Sequence, residues 1–237
     1  GFSARQNYLI ARIGRPRFVN VFLGRLNSFV ADNDLGSGRN VGERATLASQ
    51  AAVRKLRDEH DVPTRQIAAS LRSGEQVAAL AGVDVITMPP KVAREFLDSG
   101  IEPGDLQDRT ATTPEIDVDA AKADPAHLET LWEINDELVA AVDALEEERM
   151  DMFTPTRLRG FFQRSNCGDV LPKWTEDQVA ASAAEGKIPS LENWREELAE
   201  GRIGLDSLMN LAGWNSFDGD QREMDRHVEE IMAAARE

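Results

Sequence analysis

Phe18-Val19-Asn20-Val21-Phe22-Leu23 is short, β-branched and aromatic, as a buried strand should be, and Gly14 and Pro16 separate it from a helix-like run over Arg5 to Ile13. Two similar segments follow, Gln66-Ile67-Ala68-Ala69-Ser70 and Val83-Asp84-Val85-Ile86-Thr87. Between the first and second lie a Gly/Asn/Asp-rich loop, Ala31 to Gly42, and a long helix in which Ala45, Leu47, Ala48, Ala51, Ala52 and Leu56 keep helical spacing until His60 and Pro63. Gly74 to Ala81 reads as a short helix and Lys91 to Leu97 as another, after Pro89-Pro90. Strand, helix, strand, helix, strand, helix with short links is the rhythm of βαβ units around a parallel sheet. Three strands do not close an eight-stranded α/β barrel, which typically takes about 250 residues. The pattern therefore predicts part of a barrel or of a doubly wound sheet.

From about residue 111 the rhythm changes to helices only. Asp124-Pro125 reads as an N-cap followed by proline at the first helical position, and Leu128, Leu131, Ile134, Leu138, Val142 and Leu145 predict one amphipathic helix. Thr175 with Gln178 and Asp218 with Gln221 fit capping boxes, and Gly201 and Gly213 read as stops between shorter helices. Trp132, Trp174, Trp194 and Trp214 are expected to pack this all-α extension together or against the sheet. The domain reading is 1–110, an α/β part, and 111–237, an acidic helical extension.

Charge divides the chain at the same place. The formal net charge is −15, yet residues 1–110 carry 13 acidic and 15 basic side chains, whereas residues 111–237 carry 29 and 12. The acidic half argues against nucleic-acid binding, which needs clustered Lys and Arg. With 41% hydrophobic and 29% charged residues the composition is globular, which excludes disorder and collagen. No apolar run is long enough to span a bilayer, and Gly1-Phe2-Ser3-Ala4-Arg5 does not open like a signal peptide, so no membrane partner and a cytoplasmic location are expected. The single Cys167 and the scattered His60, His127 and His227 give no zinc spacing, and no metal site is expected.

Two segments end their strands with an arginine: Phe22-Leu23-Gly24-Arg25 and Ala69-Ser70-Leu71-Arg72. In parallel α/β folds the carboxyl ends of the strands form the ligand-binding face. An arginine there suits a phosphate through paired charge-assisted hydrogen bonds, and Ser70 adds a further donor.

Four blocks, Phe2-Ser3-Ala4-Arg5-Gln6, Phe22-Leu23-Gly24-Arg25-Leu26, Ala68-Ala69-Ser70-Leu71-Arg72 and Leu80-Ala81-Gly82-Val83-Asp84-Val85-Ile86-Thr87-Met88-Pro89, resemble in order and spacing the later part of transaldolase. The resemblance covers roughly residues 1–100. It implies the C-terminal part of a (β/α)8 barrel, from the end of strand five through strands six to eight, followed by a longer helical tail than the family usually carries. It also implies transfer of a dihydroxyacetone unit between sugar phosphates through a lysine Schiff base, as in the pentose phosphate pathway, without organic cofactor. Carried over by position, Arg25 and Arg72 look like the phosphate-binding arginines and Ser70 like the serine sharing that duty. Phe22 would be a neighbouring pocket aromatic, and Asn20 stands where the family usually has a serine. The Schiff-base lysine and its proton-transfer partners would lie before Gly1, so no catalytic residue is assigned here, and Lys55, Lys91, Lys122, Lys173 and Lys187 are not promoted in its place.

Phosphorylated sugars are thus the expected substrates, and a homo-oligomer is compatible with the sequence. Two other readings stay open: a simple aldolase of the same fold that releases free dihydroxyacetone, and a non-catalytic scaffold that binds a partner through the acidic tail. The remaining motifs are read as structural. Gly36-Ser37-Gly38-Arg39-Asn40-Val41-Gly42 has the wrong glycine spacing for a dinucleotide site and reads as a lid or loop. Glu146-Glu147-Glu148 reads as a solvated turn, Cys167 as an ordinary thiol and the three histidines as surface groups.

Overall fold

The computed structural model describes residues 1–234. Helix α1 (Ala4–Leu9) starts where the Ser3 side chain accepts a hydrogen bond from the Gln6 amide, and a π-turn over Ile10–Gly14 carries it to Arg15, which is left-handed. Strand β1 (Phe18–Phe22) leads without a loop into α2 (Leu23–Asp32). Leu23, Gly24 and Arg25 therefore belong to the first turn of a helix and not to the end of a strand. The loop expected from Ala31 begins only at Asn33. The apolar run hid this boundary: Leu23, Leu26, Phe29 and Val30 recur at helical spacing and are all buried.

Helix α3 (Val41–His60) returns the chain to β2 (Arg65–Ala69), which pairs parallel with β1 from Phe18 opposite Arg65 to Phe22 opposite Ala69. Helix α4 (Gly74–Ala79) opens with a capping box between Ser73 and Gln76. Strand β3 (Val85–Ile86) adds parallel to β2, and α5 (Pro90–Asp98) follows with proline in its first turn. The sheet has the order β1-β2-β3. The chain is thus helix-rich α/β around a small parallel sheet.

In the second half α6 (Ala120–Ala123), α7 (Asp136–Glu146), α8 (Pro155–Arg164), α9 (Glu176–Glu185), α10 (Leu191–Ala199) and α11 (Leu205–Ala234) are joined by short 3₁₀ turns and loops. The single helix expected after Asp124 does not form. Asp124–Ala126 and Leu128–Leu131 are separate 3₁₀ turns broken at His127, which is left-handed, and α7 starts afresh at Asn135, whose side chain accepts from the Leu138 amide. The stripe remains buried because its two ends serve two cores: Leu128 and Leu131 join the main one, while Leu138, Val142 and Leu145 join another built on Phe162 and Val170. The Thr175–Gln178 capping box forms as read, and Gly201, left-handed, ends α10. Asp218, Gln221 and Gly213, by contrast, all lie inside the continuous α11.

The main core mixes both halves of the chain, with Val21, Leu26, Phe29 and Ala68 packed in one cluster with Leu131, Trp194, Leu208 and Met209. A buried ionic clamp reinforces that junction. Arg5 donates to both oxygens of Asp206, which is fully buried, at 2.8 and 2.7 Å, and its remaining nitrogen reaches Asp169 at 2.7 Å. Ser3 Oγ donates to Asp206 as well, at 2.6 Å. Among the described residues no helix is long and apolar enough to cross a membrane, and no group of three or more His, Cys, Asp or Glu is arranged to hold a metal ion.

Candidate functional site

The parallel register sets the carboxyl ends of β1 and β2 side by side, so the residues just beyond them converge. Asn20 and Phe22 share one face of β1, both half-buried, and Arg25 follows one turn into α2. Just past the end of β2, Ser70 has a left-handed backbone, a conformation uncommon for a serine, and Arg72 comes two residues later. Gly24 is where the two strand ends touch. A Cβ on it would run into the Ser70 carbonyl oxygen and stand 2.6 Å from Arg72 Nε, so only glycine fits against that backbone.

Arg25 is 9% exposed, and its Nη1 is buried without a hydrogen-bond partner among the described residues. Aromatic rings flank its guanidinium, Phe22 with its centroid at 5.5 Å and Phe217 of α11 at 4.9 Å. Phe22 in turn packs on Phe2 at 5.6 Å and on Phe217 at 5.8 Å between centroids. Burial lowers the Arg25 pKa from its ordinary value, Asp220 opposes that shift, and the like charge of Arg72 adds to it. The two guanidiniums thus act on each other as like charges, offset at Arg25 by Asp220. Such an arrangement is suited to an incoming anion.

Four of the five candidates from the sequence, Phe22, Arg25, Ser70 and Arg72, meet around these strand ends. Asn20 lies further down β1, where its Oδ1 accepts from the Gly1 amine at 2.7 Å and its carbonyl from Asn7 at 3.0 Å. The sequence reading missed Glu43, in the first turn of α3. This buried carboxylate accepts from Gln76 at 2.7 Å and from Asn27 at 3.0 Å, while Gln76 Oε1 accepts the backbone amides of Arg72, at 2.6 Å, and Ser73, at 3.2 Å. Glu43 so fixes the backbone from which Arg72 reaches out. The Ser73–Gln76 spacing was the legible part of this arrangement; its anchor on another helix was not.

All five lysines are exposed, Lys55 and Lys91 within reach of Glu59 and Glu95 on their own helices. The glycine-rich loop is tied down by Asn40 donating to the Glu115 carbonyl at 2.8 Å and Ser37 to the Asp117 carboxylate at 2.6 Å. A groove of about 680 Å³, lined by Phe153, Leu158, Leu171, Trp174 and Trp214, shares no residue with the strand-end cluster.

The family model for transaldolase/fructose-6-phosphate aldolase matches residues 2–156. The chain belongs to this family. A transaldolase of Chlamydia felis is 29% identical over 114 residues, covering 48% of this chain and 32% of its own length. A probable transaldolase of Symbiobacterium thermophilum is 38% identical over 108 residues, covering 43% of this chain and 44% of its own. Another, of Alkaliphilus metalliredigens, is also 38% identical over 108 residues, with 43% and 44% covered. The chain thus spans 32% to 44% of the length of these relatives. No solved structure matches. The family match takes in β1 to β3 and the strand-end residues, and stops well short of α11.

Proposed function

We propose that this chain forms the phosphate-binding side of an enzyme that transfers a dihydroxyacetone unit between sugar phosphates, with the Schiff-base lysine supplied from outside these 237 residues. In this reading residues 1–110 are part of a (β/α)8 barrel and residues 111–237 a helical extension, in a cytoplasmic protein. Arg25 and Arg72 grip the phosphate, Ser70 Oγ donates a further hydrogen bond, Asn20 meets a sugar hydroxyl and Phe22 walls the pocket. A phosphate held at a distance from the reacting carbonyl orients that carbonyl for attack, so its binding energy lowers the barrier as well as KM.

The observation that carries the reading is the buried Arg25 Nη1, which has no partner among the described residues and feels the like charge of Arg72. A buried charged donor with an open valence is costly unless a ligand completes it. The test is Arg25→Ala and Arg72→Ala in the enzyme. Each is expected to cost about 2–4 kcal/mol of transition-state binding, or roughly 30- to 1000-fold in kcat/KM, toward phosphorylated sugars. Losses on free dihydroxyacetone with a simple aldehyde should be far smaller. Equal losses on both substrate types would assign the arginines to the architecture of the rim and overturn the proposal.

A further inference from the structure

Helix α11 passes over the strand-end cluster with one face. Gly213 lies against Arg25: a Cβ there would come to 3.5 Å from Arg25 Nη1 and 3.4 Å from the Phe2 ring. Ser216, Phe217 and Asp220 follow at three, four and seven residues, the spacing of a single helical face. Phe217 stacks on Arg25 and on Phe22. The Ser216 hydroxyl is buried and has no hydrogen-bond partner among the described residues. A serine inside a helix ordinarily returns its hydroxyl to the carbonyl one turn back or exposes it to water, and Ser216 does neither. Two buried donors without a partner among the described residues, Arg25 Nη1 and Ser216 Oγ, thus lie on α2 and on the face of α11 that also carries Gly213 and Phe217.

We infer that this face of α11, outside the residues matched to the family, is a wall of the anion site and takes the phosphoryl group of a phosphate monoester together with the strand ends. The inference rests on the proposed role of Arg25 and Arg72 and adds three residues to it. Ser216 Oγ donates a hydrogen bond to the phosphoryl oxygens. Phe217 holds the Arg25 guanidinium in a plane and keeps water from it. Asp220, one turn further, is a standing counter-charge: it steadies the two arginines in the empty site and weakens the hold on a dianion, so that product is released.

Calorimetric titration of the protein with inorganic phosphate at low ionic strength tests this. Ser216→Ala is expected to weaken binding about 10- to 150-fold, the loss of one hydrogen bond to a charged group. Phe217→Leu should weaken it by about 3- to 30-fold and Phe217→Tyr should restore it, since the second keeps an aromatic face and the first keeps only the volume. Asp220→Asn should tighten binding about 3- to 10-fold, with the gain shrinking as potassium chloride is added. Phe217 and Asp220 are exposed enough that these variants should fold normally. Arg25→Gln serves as the control. If it abolishes binding while the α11 variants all stay within about twofold of the parent, α11 is no part of the site and the inference falls alone. If Arg25→Gln also leaves binding unchanged, the phosphate reading falls with it.

Discussion

Arg5 and Asp206 stand 201 residues apart in sequence and share two hydrogen bonds, of 2.8 and 2.7 Å, in the interior of the molecule. The pair ties α1, whose preceding Phe2 packs on Phe22, to the first turn of α11, and so determines where α11 runs above Arg25. Asp206→Ala would leave Arg5 buried with only Asp169 to face it. We expect a loss of about 3–5 kcal/mol in urea unfolding, with Arg5→Ala comparably costly because Asp206 is then the stranded charge. Replacing both by apolar residues of similar volume should cost less than either single change. A double variant as unstable as the sum of the singles would show that the clamp contributes packing and not charge pairing.

Glu43 offers a way to disturb Arg72 without touching it. Glu43→Ala strips Gln76 and Asn27 of their shared acceptor and should cost about 1–3 kcal/mol in stability. In the enzyme, KM for the phosphorylated substrate should rise more than kcat falls, because the altered element is the backbone that presents Arg72. Unchanged KM with reduced stability would confine Glu43 to holding α3 and α4 together.

The tryptophans separate by burial. Trp194 is 3% exposed, stacks edge-on against Trp174 at 6.0 Å and donates to Glu185 at 2.8 Å, so Trp194→Ala should cost about 3–5 kcal/mol. Trp214 is 76% exposed, contrary to the expectation from sequence, and Trp214→Ala should change stability by less than about 0.5 kcal/mol. Chemical denaturation of the two variants side by side decides the point.

Asp84 predicts a pH dependence. Burial raises its pKa, but hydrogen bonds from Arg57, the Gln66 amide and Gln50 outweigh that effect and leave it below the ordinary value of 3.8. A depressed carboxylate pKa stabilises the fold above the unfolded-state pKa and ceases to do so as pH falls through the folded one. The parent should therefore be more stable than Asp84→Asn at neutral pH, with the gap constant down to about pH 4 and closing below it. A gap that persists unchanged into stronger acid would mean that the carboxylate's charge is not what Arg57 and Gln50 recognise.

Local chemistry made the first hundred residues legible. Short β-branched and apolar runs and period-3.6 spacing, together with Gly and Pro, mark β1, α3, β2, α4, β3 and α5 because each depends on neighbours within a few residues. Parallel strands joined by helices bring their carboxyl ends to one edge, so the sequence alone places Arg25, Ser70 and Arg72 at one rim. The boundary at Leu23 was not legible, since an apolar run fits a strand end and a helix start equally well.

Tertiary structure decided what covers those residues. An apolar stripe states that a face is buried and not against what, so Leu128 to Leu145 read as one helix although their side chains serve two separate cores. Gly213 reads as a helix stop because glycine is costly in a helix interior, yet the helix runs through it, and a Cβ there would only come into ordinary contact with Phe2 at 3.4 Å and Arg25 at 3.5 Å. Phe217 and Ser216 carried no signal at all. The position of Phe217 over Arg25 follows from the Arg5–Asp206 clamp and the shared core, contacts between the two ends of the chain whose partners no local pattern encodes.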